Sequence, residues 1–229
     1  MASSNLQSHA SSDLTLAFTI EQNNQIIHGI SRYRGNKART DLEVSGAPLS
    51  LIQSGDGKTV ELDHKRKTWE SSSTLLKPEE EPKQDSGGAI EQYLAPLRDT
   101  VFPMRFTGRT AMISGWKCEE FIMFDITPER VPDLPIEQQA RMVAWVARDF
   151  PDGESIQKHI ESVMPDENLR VFERIAKKHL GMPGFGMKTE MQRGSGPKTV
   201  FTYTAIKQGE LPDTIFEIPS DYLQSLNKQ

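Results

Sequence analysis

The sequence predicts a mainly β protein, a large antiparallel sheet with a few helices, and three observations lead there. Segments from Leu14 onward alternate apolar and polar residues, as in LTLAFTIEQ, where Leu14, Leu16, Phe18 and Ile20 share one face. Turn residues punctuate these segments at short, regular intervals, beginning with Asn23-Asn24 and Gly35-Asn36. Helix-period stripes are confined to a few places late in the chain.

Taken in order, LTLAFTIEQ and QIIHGISRYR form a first hairpin about Asn23-Asn24, which tolerate left-handed turn geometry. KARTDLEV, PLSLIQS, TVELD and KTWESSS continue an antiparallel meander. Residues 77–88, KPEEEPKQDSGG, bring prolines, clustered acids and glycines that neither bury surface nor hold a ladder, and read as a mobile acidic loop. AIEQYLAPLRD has room for a helical turn or two before Pro96. RFTGRTAMISGWKCEEFIMFD then reads as a long hairpin turning near Gly115, and RMVAWVARDF as a further strand.

Asp152 stands at a helix N-cap position, and Leu169, Phe172, Ile175, Ala176 and Leu180 make an apolar stripe that stops at Gly181, so residues 152–181 read as a helical insertion. FGMKTEMQR and TVFTYTAIKQ form a last hairpin, and ELPDTIFEIPSDY closes the chain. Residues 13–229 are expected to form a single domain behind a disordered tail over residues 1–12, within the size that one β domain reaches.

Composition narrows function. Lys and Arg total 27 against 32 Asp and Glu, a net charge of -5 that draws in no polyanion, so nucleic acid is not an expected partner. The apolar run from Met142 to Ala147 is far shorter than the roughly 20 residues of a membrane-spanning helix, so no transmembrane segment is expected. The start, MASSNLQSHASSD, reads as lacking a signal peptide or lipobox cysteine, and its Ser- and Ala-rich character is that of a trimmed mature end.

No catalytic residue, metal ligand or cofactor is expected. The histidines His9, His28, His64, His159 and His179 share no metal-ligand spacing, and Gly184-Phe185-Gly186 opens a strand rather than a phosphate-binding helix. Glu119 and Glu120, neighbours on a strand, face opposite sides and cannot act as a pair. The single cysteine, Cys118, reads as a small packed hydrophobe.

The runs GISRYRGNKARTDLEV and PLSLIQSGDGKTVELDHKRKTW, with Gly29, Arg39, Asp56, Gly57, Lys58 and Trp69, resemble the periplasmic lipoprotein-localisation carriers. The later stretch, GFGMKTEM followed by a tail of the form Leu-Pro-Asp-x-x-Phe-x-Ile-Pro-x-x-Tyr, more closely resembles an uncharacterised bacterial domain family related to those carriers. The resemblance spans Leu14 to Tyr222. It implies a curved sheet forming an incomplete barrel with helices plugging its open side, an exported, periplasmic location, and a lipid, acyl chain or lipoprotein anchor as partner.

Leu16, Phe18, Ile20, Ile30, Trp69, Phe121, Met123 and Met187 are the candidate lining of such a cavity, the methionines among nine in the chain suiting an adaptable apolar surface. The alternative is an envelope interaction module that fills its sheet with its own side chains and binds a protein partner.

Overall fold

The computed structural model describes residues 13–54, 58–71, 104–129, 135–136, 139–163 and 183–225. The expected acidic loop, the helical segment near Pro96, the second helix of the insertion and the N-terminal tail lie outside the described residues.

Twelve strands form a single sheet. They are β1 (Leu14–Gln22), β2 (Gln25–Arg34), β3 (Lys37–Val44), β4 (Ala47–Gln53), β5 (Thr59–Asp63), β6 (Thr68–Ser71), β7 (Arg105–Ile113), β8 (Trp116–Ile126), β9 (Ala140–Ala147), β10 (Phe185–Arg193), β11 (Thr199–Gln208) and β12 (Leu223–Gln224). Their spatial order is β12-β6-β5-β4-β3-β2-β1-β11-β10-β9-β8-β7, antiparallel throughout except for the short β12–β6 pair. The ends do not pair with each other, so the sheet stays an incomplete barrel. One helix, α1 (Gly153–Val163), and a 3-10 turn (Asp213–Phe216) complete the described elements.

The tight hairpins form where residues tolerate positive φ. Asn23 and Asn24 adopt φ of 52° and 61°, and Ser114-Gly115 joins β7 to β8 with 50° and 84°. Gly29 answers a different demand, because the Phe18 ring lies across its α-carbon. A β-carbon there would stand 2.2 Å from Phe18 Cζ.

The register shows which residues share a face. Leu16, Ser31, Thr40, Leu51, Glu61 and Glu70 are successive cross-strand neighbours, as are Ala17, Ile30, Asp41, Ser50, Leu62 and Trp69 on the opposite face. The sheet packs on both. On the first face α1 brings Ile156 and Ile160, one helical turn apart, against Leu14, Leu16, Tyr33, Phe185 and Met187. On the second face, toward the β6 end, Ile52 and Leu62 are buried, and the tail after β11 crosses the sheet with Phe216 buried at 7% exposure.

The sheet also curls. β7 and β11 are separated by three strands, yet Ser114 Oγ, in the β7–β8 turn, donates to the Tyr203 carbonyl at 2.6 Å. An aromatic arc runs across the inside of this curl, from Trp116 through Phe150, Phe185, Tyr203 and Phe201 to Phe18, with adjacent ring centroids 4.8–5.2 Å apart.

Candidate functional site

The cavity grows from a fork in the sheet. β10 and β11 pair only from Lys188 to Met191 against Thr199 to Thr202, although both strands continue beyond the pair. Each carries a bulge at the point of parting. Thr204 is the extra residue of β11 against β1, and Met187 that of β10 against β9. A bulge bends its strand and raises its twist, and two adjacent bulges turn the strands apart.

Beyond the fork, α1 and the β7–β8 turn hold the two strands in place. Gly184 enters β10 at φ 152°, with room for no side chain because a β-carbon would stand 2.6 Å from the Ala147 carbonyl oxygen. Gly153, at the start of α1, lies against the Phe185 main chain, where a β-carbon would stand 3.0 Å from the nitrogen, and Gln157 Oε1 accepts from the Gly186 N–H at 3.3 Å. Across the gap, Ser114 satisfies the Tyr203 carbonyl.

Among the described residues a cavity of about 340 Å³ results, lined by Ser114, Trp116, Phe150, Pro151, Met187, Ala205, Ile206 and Gln208. Its wall is aromatic and aliphatic, with uncharged polar groups at Ser114 and Gln208. That volume falls in the roughly 300–1,000 Å³ range of small-molecule sites. None of these described lining residues carries an acidic, basic, thiol or phenol side chain. Burial raises the Tyr203 hydroxyl above its ordinary value, with Tyr33 adding to the effect, and pushes the Cys118 thiol up to about 11.

Of the residues singled out from the sequence, Met187 lines the cavity. Leu16 and Phe18 lie on the same face of the sheet, in the core beside it, and Ile20 continues that row toward the β1–β2 turn. Ile30 and Trp69 lie on the opposite face, in the row with Asp41 and Leu62. Phe121 follows Glu120 on β8, packs 5.7 Å from Phe106 and carries the Arg148 guanidinium 5.4 Å from its ring centre. Met123 is the bulge residue of β8 and is buried.

Sequence reading passed over the lining from β11, since the bulge at Thr204 breaks the alternation there, and that from the β7–β8 turn, which only the curl of the sheet brings against β11. It also passed over a polar chain on the second face. Arg39 Nε donates to Asp41 Oδ1 at 2.7 Å, and Ser50 Oγ donates to the same oxygen at 2.5 Å. His64 Nε2 stands 2.5 Å from Ser50 Oγ, and Tyr222 Oη 2.6 Å from His64 Nδ1.

With the Ser50 proton directed to Asp41, the order assigns Nε2 as the donor on His64 and the Tyr222 hydroxyl as donor to Nδ1. Arg32 pairs with the other Asp41 oxygen. Burial pushes the Asp41 carboxyl up, but hydrogen bonds from Ser50, Arg39 and Arg32 and the Arg39 charge outweigh it and hold it below its ordinary value. The chain clasps the tail, because Arg39 Nη1 also donates to the Ile215 carbonyl at 3.0 Å, and Arg34 Nη1 to that of Leu211 at 2.5 Å. Serine and histidine thus meet in a part-buried network that ties the tail to the sheet. Ser50 is fully buried and its proton is committed to Asp41.

An open antiparallel sheet with a helix and an apolar cavity on one face and a clasped tail on the other is the class of protein these features define. The chain belongs to the family described as Domain of unknown function (DUF4412), whose model matches residues 91–222, more than half of the sequence. No curated protein matches it in sequence.

Similar solved structures include the MucA/MucB complex of Pseudomonas aeruginosa, at 12% identity over 93% of this chain and 57% of that one, TM-score 0.48. This chain thus spans little more than half the length of that match. They also include a LolA superfamily protein from Nitrosomonas europaea, at 13% identity over 90% and 89% of the two chains, TM-score 0.35. A DUF1329 family protein from Desulfovibrio piger matches at 14% identity over 91% of each chain, TM-score 0.35. Among the described residues no helix is long and apolar enough to cross a membrane, and no group of three or more His, Cys, Asp or Glu side chains is placed to hold a metal ion.

Proposed function

We propose that this protein is an exported, non-enzymatic binding protein that holds an acyl chain or other lipid tail in the cavity at the β10–β11 fork. The observation that carries this reading is the cavity itself, an apolar hollow lined by Trp116, Phe150, Met187 and Ile206 and reached past exposed Ala205 and Gln208. Water in such a space finds few partners, and an alkyl chain replacing it gains roughly 0.8 kcal/mol for each methylene buried. The resemblance to periplasmic lipoprotein carriers supports the exported location.

The test is titration of the purified protein with a series of saturated acyl methyl esters, read by native mass spectrometry, beside the variant Gln208→Trp. Gln208 is exposed at the cavity rim and stands opposite Leu14, on the cavity face of the sheet, so an indole there fills the opening without disturbing the core. Affinity is expected to rise about fourfold per methylene until the cavity is full, and to vanish in the variant. Equal absence of binding across the series, with the protein folded, sinks the reading and favours a module that fills its own sheet and binds a protein partner.

A further inference from the structure

The two faces of the sheet are tied together where β11 ends. Ile206 and Gln208 line the cavity, and the register sets Gln208 opposite Leu14 and Leu14 opposite Tyr33, both in the core on that face. Asp13 and Arg34, their neighbours in the chain, belong to the other face, since successive residues of an extended strand point to opposite sides. There they grip the start of the tail. The Asp13 carbonyl accepts from the Gly209 N–H at 3.0 Å and Asp13 Oδ2 from the Leu211 N–H at 2.8 Å, while Arg34 Nη1 donates to the Leu211 carbonyl. Both main-chain groups of Leu211 are thus held by the strand ends whose other side carries Leu14 and Tyr33. Farther along the tail, Phe216 is a buried apolar anchor. Lys37 pairs with Asp213 at 3.1 Å and Lys67 with Asp221 at 2.7 Å, these four side chains being 40–63% exposed.

A terminal segment held by exposed ion pairs belongs to the readily opened part of a fold, because water and salt weaken each such contact. We propose that the tail from Gly209 to Ser225 is a latch on the cavity. Docked, it fixes the end of β11 through Asp13 and Arg34 and keeps the wall at Ile206 and Gln208 in place. Undocked, it lets that end loosen and the cavity open. The strand ends transmit the change, since one short stretch of backbone bears the tail's contacts on one side and the cavity wall on the other. What the latch admits rests on the acyl-binding reading of the cavity, whereas the coupling itself stands on the tail contacts.

The experiment follows hydrogen exchange of the full chain, without ligand, in two variants that loosen the tail from the face opposite the cavity. Phe216→Ser removes the apolar anchor. Lys37→Glu sets two carboxylates together at Asp213 and leaves the core intact. In each, amides over residues 211–225 are expected to exchange faster, and those over residues 205–209 to follow by about ten- to hundredfold, the effect of one hydrogen bond to a charged group. Amides of β8 and β9 are expected to keep their rates. A faster tail beside an unchanged β11 end overturns the latch. So does a tail that keeps its protection in both variants, because these anchors then do not hold it, and so does equal acceleration of β8 and β9, which marks general loosening. Dodecanoic acid methyl ester is the probe of the cavity, and its release is expected to quicken in both variants. If the ester does not bind the unaltered protein while the exchange rates change as expected, the acyl reading falls and the latch stands. If it binds and leaves all three proteins at one rate, the latch does not govern the cavity and is overturned while the acyl reading stands.

Discussion

The Tyr222 hydroxyl lies 2.6 Å from His64 Nδ1, joining the C-terminal tail to the turn after β5. Removing that hydroxyl leaves the imidazole nitrogen without its donor, so Tyr222→Phe is expected to lower stability by about 1 kcal/mol. Arg39→Met removes more, since one guanidinium serves Asp41, Ser50 and the Ile215 carbonyl. Its expected cost is about 2–3 kcal/mol, typical of hydrogen bonds to a charged group. Urea unfolding at neutral pH measures both, and a smaller effect for Arg39→Met than for Tyr222→Phe contradicts its place as the centre of the clasp.

Acid sensitivity follows from Glu190. Burial works against its charge, but hydrogen bonds and charge from Lys188 and Lys198 hold its carboxyl down at about 2, against 4.5 ordinarily. A carboxylate depressed in the folded state contributes stability that is whole above its unfolded value and drains away as pH falls toward its folded one. Stability is therefore expected to decline from about pH 4.5 toward pH 2, with Asp41 adding to the decline over its own lowered range. In Glu190→Gln that slope should be shallower. An unchanged acid limb, followed by circular dichroism across this window, contradicts the assignment.

Gly29 and Phe18 offer a test of packing. A methyl group at Gly29 meets the Phe18 ring and Leu42 Cδ2 at 2.2–2.8 Å, so Gly29→Ala forces both side chains from their places. Overpacking of this kind costs about 1–3 kcal/mol. Combining it with Phe18→Leu, which withdraws the ring, should cost less than the sum of the two single changes. Strict additivity in a double-mutant cycle shows that the ring yields freely.

The strands were legible because the alternation of Leu14, Leu16 and Phe18 and turn pairs such as Asn23-Asn24 are local signals, decided within a few residues. The cavity was not, because Thr204 and Met187 are bulge residues whose effect depends on the partners that they face. The sheet order hides it further, since Ser114 and Tyr203 meet across three intervening strands. Ile30 and Trp69 show the same limit from the other side. Both are apolar positions in well-formed strands, and only the register reveals that they face away from Leu16. The contact of His64 was hidden because Tyr222, its partner, stands 158 positions along the chain.

Cys118 gives the last prediction. The thiol is fully buried, between the cavity wall and the Ala147 end of β9, and burial raises it to about 11. At pH 8 only about one thiol in a thousand is then ionised, and the thiolate is the reactive form. Labelling by a bulky disulfide reagent must therefore wait for the sheet to open. Its rate should fall to the rate of local or global unfolding and become independent of reagent concentration when reclosing is slower than reaction. Urea below the unfolding midpoint should accelerate it. An acyl ligand in the neighbouring cavity should slow it, because ligand bound to the closed form lowers the open population in proportion to occupancy. Fast labelling with first-order dependence on reagent, unaffected by urea, places the thiol at the surface and contradicts the packing around Trp116, Phe185 and Met187 as well.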